Sequence, residues 1–151
     1  MNHLFSKEEL SVIESAHAIL ASKVRTTEAL TSVAVAKQFF KTLIEMSERE
    51  VFTVVLLDSQ NRMIESVELF KGTVNAASVY PREVVKQVLQ YNAVSVMFAH
   101  NHPSGAIEPS NADRAITMKL QSALATIDVQ VLDHIIVGAE GAYSFAEAGI
   151  L

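Results

Sequence analysis

Two histidines spaced by one residue, with a serine and an aspartate shortly after them, carry most of the chemistry this sequence can offer. They stand in the stretch Ala99-His100-Asn101-His102-Pro103-Ser104-Gly105, which runs on to Ser110 and Asp113. Side chains alternate along extended backbone, so His100 and His102, at i and i+2 where a strand ends, project from one face. Pro103 and Gly105 are turn formers. Ser110 and Asp113 then fall at the start of the next helix, from which Asp113 can fold back toward the imidazoles. Two imidazoles and a carboxylate are three N/O ligands for zinc; a fourth, open position for water marks a catalytic site rather than a structural one. Zinc so held brings the pKa of its water down to about 7. Ser110 and Asp113, following Pro109, also read as a capping box. The two roles are compatible, since an aspartate in a first helical turn can cap and ligate at once.

The elements that must position these residues follow from periodicity. Ser6 with Glu9 forms a capping box that opens a helix with apolar positions Leu10, Ile13, Ala16, Ile19 and Leu20. Thr26, Thr27 and Thr31 break that pattern. A second helix carries Val33, Ala36, Phe39, Phe40, Leu43 and Ile44 on one stripe. From Glu50 the period changes. Val51–Leu57 is a β-branched, apolar strand, Asp58–Arg62 is turn-rich, and Met63–Phe70 is the second arm of a hairpin. Pro81 at a first helical position starts a helix whose buried stripe is Val84, Val85, Val88 and Leu89. Ala93–Ala99 is a buried strand, Ser110–Ile127 a helix, and Val129–Val137 another strand, closed by Gly138. Strands alternating with helices indicate an α/β or α+β fold, a mixed β-sheet flanked by helices, with a helical N-terminal portion.

Composition removes several alternatives. The chain has 151 residues and no cysteine, which excludes disulfides, thiolate metal sites and a cysteine nucleophile. It is too short for a (β/α)₈ barrel of about 250 residues, the host of one large class of zinc hydrolases. Twelve Lys+Arg against 17 Asp+Glu give a formal charge of −5, which is not the footprint of a broad nucleic-acid-binding face. No apolar run approaches the roughly 18 residues of a membrane span, and the N-terminus lacks the basic and apolar regions of a signal peptide. A cytoplasmic protein without membrane attachment is the expectation.

His-x-His, then seven residues, then Ser-x-x-Asp resembles the JAMM signature of MPN-type zinc metallopeptidases. With Tyr80-Pro81-Arg82-Glu83 upstream and Asp133-His134-Ile135-Ile136-Val137-Gly138 downstream, the chain resembles the bacterial RadC family over about residues 30–145. The resemblance implies a JAMM/MPN, cytidine-deaminase-like domain over residues 31–151, preceded by a helical extension over residues 1–30. It implies that His100, His102 and Asp113 are zinc ligands and that Ser110 hydrogen-bonds the developing oxyanion or the water. It places a general-base glutamate just before a strand beside the metal, a position that Glu50 matches best. Glu83 is the rival, first read as a favourable charge at a helix N-terminus. Glu108, in the turn, is expected to be solvated. His134, preceded by Asp133, is read as hydrogen-bonded structure ahead of a fourth ligand, with a role in orienting a ligand kept open. His3 and His17 are expected to face solvent.

Full-length RadC-like proteins carry a helix-hairpin-helix DNA-binding module before this domain, and the stretch ahead of the shared region is too short for it. The leading expectation is therefore zinc-dependent hydrolysis of a peptide or isopeptide substrate. A DNA-repair or DNA-transaction accessory, with nucleic acid as its partner, is one alternative. A metal-bound, non-catalytic interaction module is another, and a homodimer stays open. Cysteine-dependent nucleotide deaminases are excluded by composition.

Overall fold

The computed structural model describes residues 5–26, 30, 32–72 and 79–151. In chain order the elements are α1 (Lys7–Thr26), α2 (Val33–Ile44), β1 (Glu50–Leu57), β2 (Met63–Gly72) and α3 (Pro81–Gln90). These are followed by β3 (Ser95–Asn101), α4 (Asn111–Ala125), β4 (Gln130–Gly138) and β5 (Gly141–Ser144). The strands form one mixed sheet in the order β2-β1-β3-β4-β5. Pairing is antiparallel for β1 with β2 and β3 and for β4 with β5, and parallel only for β3 with β4. The class is α+β, as the alternation of strand and helix signals predicts.

Period-2 alternation along β1 explains why its run is apolar throughout: the strand is covered on both faces. Val51, Val55 and Leu57 join Met97, Ala99, Ile135 and Val137 against Phe39, Phe40 and Ile44 of α2. Phe52, Val54 and Leu56 join Val96 and Phe98 against Val84 and Val88 of α3 and Ile116, Leu120 and Leu124 of α4. The sheet is thus sandwiched between helical layers, and the residues facing α4 include the one ligand candidate within a strand, His100.

The structure corrects several sequence expectations. β3 covers Ser95–Asn101 rather than Ala93–Ala99, because Ala93 N–H closes onto Val88 O and Val94 N–H onto Leu57 O, which keeps both residues in the connection. Leu89 is 61% exposed, since α3 packs through Val84 and Val88, with Val85 half-buried against the same cluster. On α1 the inward stripe is Leu10, Ile13, His17 and Leu20, while Ala16 and Ile19 face outward. His17 is therefore half-buried rather than solvent-facing, with Nε2 sealed from solvent. The Ser6–Glu9 box is present in both directions. β5 carries no strand signal: it is four residues long, paired to β4 across the Ala139–Glu140 turn. His3, Thr27 and Thr31 lie outside the described residues. Among those residues no helix is long and apolar enough to cross a membrane.

Candidate metal centre

The site is built where β3 runs out. His100 pairs with Phe52 of β1 on one side and with Ile136 of β4 on the other, so its backbone is fixed in the middle of the sheet. Its ring stacks on Phe52, with centroids 5.8 Å apart and planes at 10°. Its next neighbour points the other way and fastens the adjacent loop. Asn101 Oδ1 accepts Val51 N–H at 2.7 Å, and Nδ2 donates to Ser47 O and Arg49 O at 3.1 and 3.0 Å. This side-chain amide continues the sheet ladder where β1 begins, so the backbone carrying Glu50 is tied to the strand carrying the histidines.

His102 follows directly. Its N–H donates to Val137 O at 2.8 Å, and its Nδ1 donates to Ala106 O at 2.9 Å. The turn beyond it lies hard against the end of β4. A Cβ on Gly138 would come within 2.4 Å of Gly105 O, which is why a glycine closes that strand. Gly105 itself has φ +94°, a backbone conformation that favours glycine. Ser110 then caps α4: its Oγ accepts Asp113 N–H at 3.1 Å, and Asp113 Oδ2 accepts Ser110 N–H at 2.8 Å. The capping box and the ligand geometry coexist: Asp113 Oδ1, free of the cap, faces His100, while Oδ2 accepts the cap N–H and also lies toward His102.

Three acceptor groups converge. His100 Nε2 lies 3.0 Å from His102 Nε2, Asp113 Oδ1 lies 3.2 Å from His100 Nε2, and Asp113 Oδ2 lies 3.4 Å from His102 Nε2. Tetrahedral zinc with bonds of about 2.0–2.1 Å holds its ligand atoms roughly 3.3 Å apart. The donor chemistry agrees with that spacing. Ala106 O can only accept, so His102 carries its proton on Nδ1 when neutral, and its bare Nε2 faces another ring nitrogen. Two ring nitrogens held this close beside a buried carboxylate need a cation or a proton between them. His100, His102 and Asp113 form a group that could hold a metal ion.

Two open cavities flank this group. One, of about 460 Å³, is lined by Glu48, Arg49, Glu50, Gly72 and Pro103. The other, of about 390 Å³, includes His102, Pro103, Gly105 and Ala139 in its wall. By strand alternation Glu50 shares the face of Phe52 and His100. Its charge is among the influences that raise the His102 pKa. Glu83 sits in the first turn of α3 with Arg82 at 3.7 Å and Lys86 at 3.5 Å. Glu108 is exposed in the turn. His134 is not in the ligand group; its Nε2 lies 2.8 Å from His100 Nδ1. Asp133, on the same strand, is buried and bonded to Ser144 Oγ at 2.5 Å and Ala146 N–H at 3.0 Å, anchoring the C-terminal turn.

With this geometry in view, the comparison with known proteins is decisive: residues 30–150 match the family described as the RadC-like JAB domain. The chain belongs to that family. A RadC-like JAB domain falls within the JAMM-like metallohydrolase superfamily, and a group that could hold a metal ion accords with it. Among its relatives is a UPF0758 protein of Vibrio cholerae, 54% identical over 144 residues, covering 95% of this chain and 91% of the relative. UPF0758 proteins of Saccharophagus degradans and Nitrosospira multiformis are 49% and 48% identical over 92% and 93% of this chain. The chain spans only 62% and 63% of the length of those two relatives.

The electrostatics of this RadC-like site without metal predict a pH signature. The Asp113 hydrogen bond raises the His102 pKa above its ordinary value; burial opposes this, and the Ala106 carbonyl and the charges of Asp113 and Glu50 support it. Burial pushes the Asp113 carboxyl up, but hydrogen bonds from His100, His102 and Ser110 N–H and the charge of His100 hold it well below the usual carboxylate range. A histidine with a raised folded-state pKa contributes stability that is full below about pH 6.5 and lost as pH rises through the raised value. The Asp113 contribution is present above about pH 3.9 and lost only as pH falls below that. His134, buried with its pKa well below the ordinary value, works the opposite way only through the ordinary imidazole range, so metal-free protein should melt at lower temperature as pH rises from about 7.5 to about 8.5. The increment in Tm on adding zinc should grow over the same range, because metal displaces the proton. Thermal scans with zinc or with chelator check both slopes; parallel curves would contradict the ligand assignment.

Proposed function

We propose that the chain is a zinc-dependent hydrolase of amide bonds, acting on a peptide or isopeptide through water activated at the His100–His102–Asp113 centre. The observation that carries the reading is the convergence of two imidazole Nε2 atoms and a carboxylate on the face shared by Glu50. Zinc fits better than magnesium or calcium, which take oxygen ligands almost exclusively. Bound there, zinc supplies Lewis acidity toward an amide carbonyl and makes water acidic enough to attack at neutral pH.

The chain's own residues complete the chemistry. Glu50, as carboxylate, takes a proton from the attacking water and returns it to the departing amine. Ser110 Oγ already accepts Asp113 N–H, so its own proton is available to donate to the developing oxyanion. Two open cavities share Pro103, one lined by Glu50 and the other by His102, and offer an extended substrate room beside the centre.

Protein purified without added metal should contain about one zinc per chain. Incubated with a pool of proteome-derived peptides, it should generate new N-termini that appear with zinc and vanish with chelator, read by mass spectrometry. Stoichiometric zinc without any zinc-dependent cleavage, across peptides and isopeptide-linked substrates, would favour the non-catalytic module. Binding of single- or double-stranded DNA at low salt in gel-shift titration would favour the DNA-transaction reading.

A further inference from the structure

His134 is fully buried on β4, yet it is not inert packing. Aromatic rings enclose it: Phe145 is stacked at 4.8 Å, and Phe52 and Phe98 meet it edge-on at 5.3 and 6.1 Å. Both ring nitrogens are engaged. Nε2 lies 2.8 Å from His100 Nδ1, and Nδ1 lies 2.5 Å from Thr117 Oγ1. Thr117 Oγ1 in turn lies 2.6 Å from the main-chain oxygen of Asp113, one helical turn back.

Donor counting assigns the protons along this chain. A carbonyl oxygen only accepts, so the single hydroxyl proton of Thr117 goes to Asp113 O. Thr117 Oγ1 can then only receive the proton of His134 Nδ1–H. A neutral imidazole has one N–H, which leaves His134 Nε2 as an acceptor, and it takes the proton of His100 Nδ1–H. His100 is thereby left with a bare Nε2, the atom facing His102 and Asp113. The aromatic cage of Phe52, Phe98 and Phe145 supplies the reason for neutrality, since a charged ring among apolar side chains is costly.

We propose that His134, held by Thr117, is a positioning residue that fixes the tautomer and ring orientation of His100 and thereby sets the metal affinity of the centre. A metal-bound histidine commonly gives its other N–H to a carboxylate or a backbone carbonyl. Here the acceptor is a neutral imidazole, which fixes the ring while adding no charge, so Asp113 brings the only negative charge among the ligands. Thr117 and Asp113 are placed by the same turn of α4, so ligand and tautomer anchor arrive together.

The test has two arms, and only the second rests on the metal-site reading. In the first, ring ¹⁵N shifts are measured by long-range ¹H–¹⁵N correlation on metal-free protein near pH 8, above the ordinary imidazole pKa. His134 should appear as the Nδ1–H tautomer with Nε2 bare, and Thr117→Val should broaden that signature or mix the tautomers. A His134 proton on Nε2 in the parent chain would overturn the proposal whether or not zinc binds. In the second, zinc affinity is measured by competition with a chromophoric chelator. His134→Phe, which keeps the volume and removes the acceptor, should weaken zinc by about 10–100-fold. His134→Gln, whose amide can accept from His100 and donate to Thr117, should recover most of that loss. If His134→Phe does not fold, the comparison of Thr117→Val with the parent decides. Parent-like zinc affinity in both His134→Phe and Thr117→Val would refute the role. A parent chain that binds no zinc while showing the assigned tautomers would remove the hydrolase reading and leave the positioning chain standing.

Discussion

His102→Ala should bind zinc roughly two to three orders of magnitude more weakly than the parent chain. Zinc held by three or four protein ligands releases about 10–16 kcal/mol in small peptides, so one ligand is worth about 3–4 kcal/mol, and each 1.4 kcal/mol is tenfold. His102 is the cleanest of the three ligands to remove. It lies just beyond β3, its side chain is 14% exposed, and its ring is tied to the backbone through Ala106 O. His100 is less informative, because it is buried against Phe52 and its loss would orphan His134 Nε2. Asp113 also caps α4, so its removal mixes ligand loss with helix loss. In His102→Ala the metal-free fold should survive, with Tm within a few degrees of the parent, since the close approach of two ring nitrogens disappears with the ring. Zinc content by mass spectrometry and affinity by chelator competition measure the effect. Full occupancy in the variant would mean that zinc sits elsewhere.

What the sequence made legible was what local pattern controls. The strand Val51–Leu57 and the helix after Ser110 stand out because an apolar run and a capping box are both short-range signals. The convergence of His100, His102 and Asp113 was legible for the same reason: the histidines stand at i and i+2, and Asp113 is fixed by the cap. β5 was not, because four residues reading Gly-Ala-Tyr-Ser have no periodicity; a glycine on either side of the Ala139–Glu140 turn was the one available hint. Leu89 and Ile19 were misassigned because a helical stripe shows which residues share a face and not how wide the buried strip will be. The roles of Asn101, Phe52 and Thr117 depend on pairings that join residues far apart in sequence. The spacing of Asp113 and Thr117, i and i+4 on one helix, was a sign that both could serve one site. His134 was legible as hydrogen-bonded structure, while the acceptor it offers to His100 required the register of β3 on β4, where Phe98 lies opposite it.

Glu50→Gln should separate metal binding from turnover. Glu50 lies outside the ligand group, so zinc affinity should stay within about threefold of the parent, the remainder reflecting one charge lost near His102. Glutamine keeps the length and polarity of glutamate but cannot take a proton, and the loss of a positioned acid–base group costs about 10²–10⁴-fold in rate. The backbone beneath it should not move, because Asn101 fastens Arg49 O and Val51 N–H on either side independently of the Glu50 side chain. Glu83→Gln is the matching control: its carboxylate is engaged with Arg82 and Lys86 on α3, so its loss should leave turnover within about twofold, the scale of an exposed ion pair. The readout is the rate of zinc-dependent peptide cleavage at equal zinc occupancy, followed for parent and both variants side by side. Parent-like turnover in Glu50→Gln with a collapse in Glu83→Gln would transfer the base to α3. Collapse in neither would mean that the proton leaves by a group other than Glu50 or Glu83. Only a selective loss in Glu50→Gln fits a carboxylate held on the His100 face of the sheet, beside the metal ligands but not among them.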